Sequence, residues 1–125
     1  MTFLLVCCVA VGGFVGAPAR FLVDRFVADR VESDFPFGTL VVNLSGSFAL
    51  GLLTGLGLRL HLPVAVEALL GTGLCGAFTT FSSWSFETVR LVEDGQLLTA
   101  SLNVLVSLAV GLAAAAAGLA LGLAA

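Results

Sequence analysis

Side chains able to do chemistry are scarce in this chain, and most of them fall in one stretch, GAFTTFSSWSFE, from Gly76 to Glu87. Five of the seven residues from Thr79 to Ser85 carry hydroxyls, and Phe81 and Trp84 are threaded among them. Hydroxyls both donate and accept hydrogen bonds, and aromatic ring edges carry partial positive charge. Such a set suits repeated weak contacts with a small polar species, not bond making. The rest of the sequence offers little for catalysis. Its one histidine, His61, lies in a short loop, lysine and tyrosine are absent, and no nucleophile–base pair, phosphate loop or zinc pattern occurs. Cys7, Cys8 and Cys75 sit in apolar runs that fit neither a disulfide frame nor a metal site, so they read as small buried hydrophobes.

Two polar stripes accompany the hydroxyl cluster. Thr39, Asn43 and Ser47 are spaced four apart and share one helical face, and Thr99, Asn103 and Ser107 repeat the pattern near the C-terminus. An asparagine amide left unpaired in hydrocarbon is costly, so both stripes must face protein or water. Singly, such residues are common hydrogen-bonding glue between transmembrane helices. Two asparagines and a hydroxyl-dense segment at similar depth point instead to a narrow polar pathway. Its donors are amides, hydroxyls and the ring edges of Phe81 and Trp84, which favours an anion. No carboxylate falls within the first, second or fourth span, which argues against a proton-coupled cation exporter.

The elements that must hold these residues follow from composition. The 125 residues are 59% hydrophobic and 10% charged, with a mean hydropathy of +1.15, whereas a soluble domain carries about 25% charged residues. This chain cannot cover itself with polar surface, so lipid is the outer solvent. The net charge of −3 comes with no basic cluster, which excludes phosphate neutralisation and nucleic-acid partners. The length fits one domain.

Charges and punctuation divide the chain into four spans, 3–23, 38–58, 64–92 and 97–123. The N-terminal stretch has an APA that mimics a cleavage site but no positive residue before Arg20, so it reads as a retained span and not a signal peptide. VDRFVADRVESDFPF is read as the first loop, with a short interfacial helix, and Pro63 opens the third helix. Gly12 and Gly16 form a small-xxx-small face for close packing. The third span is too long. At 1.5 Å per residue it would run about 44 Å, against a hydrocarbon core of about 30 Å. Gly71, Gly73 and Gly76 lead into the hydroxyls, and irregular backbone survives at that depth only where protein or water satisfies it. The spacing predicts a helix broken at mid-membrane, and freed carbonyls at such breaks often coordinate a cation. Arg20 and Glu87 are charges at the membrane edge, expected to pair, to mark the pathway or to snorkel.

The runs GGFVGAPARF, FGTLVVNLSGSFALG and GLCGAFTTFSSWSFE resemble the CrcB, or Fluc, family of fluoride channels over nearly the whole chain. The resemblance implies an all-α membrane subunit in an antiparallel, dual-topology homodimer of the plasma membrane, exporting fluoride passively around a central structural sodium ion. It implies that the carbonyls of Gly76 and Thr79 hold the sodium and that Asn43 donates toward fluoride. It makes Phe81 the first ring of an aromatic pair, with Thr80 and Ser82 as nearby hydroxyls. Asn103 and Ser107 form the polar side of the fourth helix, and Arg20 and Glu87 are vestibule or gating charges. Trp84 departs from the family, which usually has phenylalanine there. Arg20, Arg25, Arg30 and Arg90 on one side against Arg59 on the other place both termini outside by the positive-inside bias. That bias leaves open a heterodimer with an oppositely oriented paralogue. Two other readings are a small dual-topology cation or multidrug exporter and a non-conducting subunit of a larger membrane complex.

Overall fold

The computed structural model describes residues 2–125, and among them there is no strand. The order is α1 (Thr2–Arg30), α2 (Phe37–Leu60), α3 (Val64–Glu67), a π-helical segment (Ala68–Cys75), α4 (Gly76–Phe78), α5 (Ser82–Glu93) and α6 (Leu97–Ala124). Among the described residues, four stretches are long and apolar enough to cross a membrane: α1, α2, the composite third span Val64–Glu93, and α6.

The first span differs from expectation. Helix α1 runs unbroken through the first half of the charged segment that reads as a loop, ending at Arg30, and residues 31–36 alone form the connection to α2. Residues 19–30 contain neither Gly nor Pro, so nothing stops the helix, and the Arg30 guanidinium stacks on the Phe26 ring at 3.7 Å. From Thr2 to Arg20 the helix rises about 27 Å, roughly the hydrocarbon thickness. Asp24 to Arg30 extend beyond that length, and their charges suit a solvated headgroup region. Helix α2 stops at His61, which takes the left-handed conformation (φ 53°). Pro63 caps α3 from outside instead of occupying its first turn.

The third span is interrupted where the glycines and hydroxyls predict it, at residues 79–81 between α4 and α5. Thr79 is extended, with φ −79° and ψ 158°. The π-helical segment before the break has no counterpart in the sequence reading.

Helix α2 packs most extensively on α6, and α1 on the π-helical segment. Both seams rest on missing side chains. A Cβ at Gly51 would fall on the Ala115 carbonyl oxygen, and one at Gly118 on that of Phe48. Across the other seam, a Cβ at Gly12 would fall on the Leu69 carbonyl, as the small-xxx-small pattern anticipates. Without a hydrophobic force between helices in lipid, this close approach supplies the packing. The outward face is strongly apolar, with Phe3, Phe14 and Leu112 more than 70% exposed, and the largest fully buried side chains are Val42 and Asn103. A polar side chain inside and phenylalanines outside mark a multi-pass membrane protein.

Candidate functional site

The site is built around the break. The backbone N–H of Thr80 donates to Asn43 Oδ1 at 2.7 Å, and Asn43 Nδ2 donates back to the Thr80 carbonyl at 2.8 Å. The Ser83 N–H donates to Thr80 Oγ1 at 3.1 Å. In an unbroken helix these two amides would close on the carbonyls of Gly76 and Thr79. Side-chain oxygens have taken them instead, and both carbonyls are released. Cys75 O, by contrast, accepts from the Thr79 N–H and the Thr79 hydroxyl, each at 3.0 Å. Gly46 on α2 admits the break, because a Cβ there would meet Thr79 Cγ2.

An open groove of about 350 Å³ runs beside the break, lined by Asn43, Ser47, Thr80, Phe81, Trp84 and Ser107 among others. The structure thus brings together residues from α2, the break, α5 and α6 that lie far apart in sequence. Phe81 projects from it, 75% exposed. Its ring centroid lies 5.5 Å from that of Trp84, with the planes tilted by 53°. With one hydrogen committed to Thr80, the Asn43 amide keeps a second for the groove. Ser82 is exposed at the start of α5, its oxygen 3.4 Å from Thr80 Oγ1.

Asn103 lies behind this groove, not on it, and is only 1% exposed. Its Nδ2 donates to Thr88 Oγ1 at 2.8 Å, and its Oδ1 accepts from Ser107 at 3.4 Å. Thr88, which the sequence reading passes over, donates in turn to the Trp84 carbonyl at 2.7 Å. Its signal was present: Thr88 follows Trp84 by one helical turn and so shares its face.

Glu87 pairs with the second-span stripe and makes no hydrogen bond to Arg20. Its Oε1 accepts from Thr39 Oγ1 at 2.8 Å, while its Oε2 is buried without a hydrogen-bond partner. Both residues line a wider vestibule of about 750 Å³ whose rim carries Asp24, Glu32 and Asp34. Gly76 and Thr79 line a third opening of about 520 Å³ on the far side of the break, with Thr54, Thr72 and Glu67. Among the described residues no cluster of three or more His, Cys, Asp or Glu side chains is arranged for a metal.

Four apolar spans among the described residues, one of them broken where neighbouring side chains satisfy its backbone, and a groove at the break into which a few polar groups project define a helical, multi-pass membrane protein. The model of the family described as "CrcB-like protein, Camphor Resistance (CrcB)" matches residues 7–119, and the chain belongs to that family. It is 51% identical over 106 residues to a protein of Mycobacterium bovis named fluoride-specific ion channel FluC 2, covering 85% of this chain and 81% of that one. It is 48% identical over 118 residues to fluoride-specific ion channel FluC 1 of Streptomyces avermitilis, covering 94% and 93%. A fluoride-specific ion channel FluC of Shewanella sp. strain ANA-3 is 47% identical over 100 residues, covering 80% and 81%.

Proposed function

We propose that the protein is a fluoride-specific channel that passes fluoride passively out of the cell across the plasma membrane. The observation that carries this reading is the groove in which Asn43, Thr80, Phe81, Trp84 and Ser107 converge beside the break. It presents neutral donors and ring edges and no carboxylate. A small anion gives up tightly held water only to dense donors, and a larger, more weakly hydrated halide gains less from them. The names of its relatives supply the ion.

The released carbonyls of Gly76 and Thr79 fit a structural sodium ion. One chain offers two such oxygens, too few for a hard cation, and an antiparallel second copy doubles the number. The working unit is then a homodimer, or a heterodimer with an oppositely oriented paralogue, with Phe81 projecting toward the partner. Bound there, sodium contributes a fixed positive charge near the pathway.

Fluoride efflux from proteoliposomes, with chloride as control, tests the function. Fluoride-selective efflux is expected. Its absence from well-folded protein, alone and with a paralogue, rejects the reading. Replacing sodium by N-methylglucamine is expected to lower both efflux and thermal stability. Tags on each terminus, probed from both sides, decide orientation, since equal labelling eliminates a fixed-orientation subunit.

A further inference from the structure

The indole N–H of Trp84 is the obvious donor to offer an anion in the groove, and its geometry turns it elsewhere. Trp84 Nε1 donates to the backbone carbonyl of Asn103 at 3.3 Å. That carbonyl has two lone pairs and so can take the indole alongside its own helical bond. Asn103 also grips Trp84 from the other end: its amide donates to Thr88 Oγ1, and the Thr88 hydroxyl donates to the Trp84 carbonyl. The donors and acceptors balance, because Thr88 has one hydrogen to give and lone pairs to receive. The lock closes a loop between α5 and α6, through which one residue holds both the ring and the backbone of the other.

We infer that Trp84 serves the groove with its carbon-bound ring edges alone, and that Asn103 and Thr88 are positioning residues that commit its N–H to α6. The inference rests on the channel reading for its meaning but not for its test. A ring edge of C–H bonds is a weaker donor than an N–H. The hydroxyls and the free Asn43 hydrogen therefore carry most of the compensation for lost anion hydration. The tryptophan acts as a fixed wall. A phenylalanine in its place has no N–H with which to be anchored.

Trp84 is the chain's one tryptophan, so a single indole ¹H–¹⁵N resonance from the intact protein in lipid nanodiscs reports the bond without ambiguity. Slow indole hydrogen–deuterium exchange is expected in the wild type. Thr88→Val should speed it about tenfold, the factor that one net hydrogen bond supplies, and Thr88→Ser should restore it. Titration with sodium fluoride, against sodium chloride at equal ionic strength, should leave the indole proton shift in place. Fast exchange in the wild type overturns the inference, as does Thr88→Val exchange at the wild-type rate or a fluoride-dependent shift of the indole proton. The exchange arm needs no fluoride, so a protein that fails the efflux assay still decides it.

Discussion

Asn43 and Thr80 satisfy one another across the helix break: the side-chain amide of the first takes both the N–H and the C=O of the second. The pairing reproduces what a neighbouring backbone would do in a sheet. Its effect is to fix which way the Asn43 amide is turned, oxygen to the Thr80 N–H, so that its remaining hydrogen has a defined direction.

Asn43→Leu removes both partners and leaves a donor and an acceptor unsatisfied near mid-membrane. Each unmet group costs about 1–3 kcal/mol. A lower melting temperature in detergent and lower fluoride efflux are expected together. A variant that melts with the wild type would show that the break holds itself.

Trp84→Phe trims the ring and removes the N–H that anchors it to Asn103. The narrower side chain widens the groove, and efflux per channel is expected to rise while fluoride selectivity is kept. Stopped efflux from liposomes measures the rate, and an unchanged rate would mean that the tryptophan does not limit conduction.

Thr39 is buried at 3% exposure, and among the described residues its hydroxyl is the one donor to Glu87. Thr39→Val should destabilise the protein by about 1–3 kcal/mol, because a buried acceptor loses its partner. Thr39→Ser should restore it. Thermal unfolding of the three proteins in one detergent compares them, and equal melting of the valine variant counts against the pair.

Adjacent glycines on α1 give an internal control for packing. Gly12 faces backbone atoms of the third span, including Gly73 Cα, whereas a Cβ at Gly13 meets nothing nearer than Ala77 Cβ at 3.8 Å. Gly12→Ala is expected to cost about 1–3 kcal/mol by overpacking, and Gly13→Ala to stay close to wild type. Equal melting of the two would place the α1 seam elsewhere.

Much of this arrangement was legible in the letters. Long apolar runs fix the number of spans, because nothing but lipid accepts such a surface. The excess length and glycines of the third span point to a break near its hydroxyls, and the structure places that break at residues 79–81. The four-residue spacing of Thr39, Asn43 and Ser47 puts them on one face. Other features were hidden for equally physical reasons. The charges of residues 24–30 read as a loop because hydropathy records distaste for lipid, not for helix. Glu87 looked to Arg20, a charge, and found Thr39, since only tertiary contact decides which neutral group comes within reach. Asn103 reads as a pathway residue by period, but the same period fits the hidden side of a helix that faces Thr88.

The π-helical segment Ala68–Cys75 makes the third span a matter of register. Wide turns of this kind hold an added residue and often lie at functional sites. Closing the turn to α-helical spacing with the added residue kept would swing everything beyond it by about 100°. Thr80 would rotate off Asn43 and Trp84 off Asn103 together, although neither had been touched. The segment thus depends on its wide turn more than on any one apolar side chain within it. That turn works like a vernier that brings two sets of hydrogen bonds into phase, and a change that tightens it at constant length is the one the site is least able to absorb.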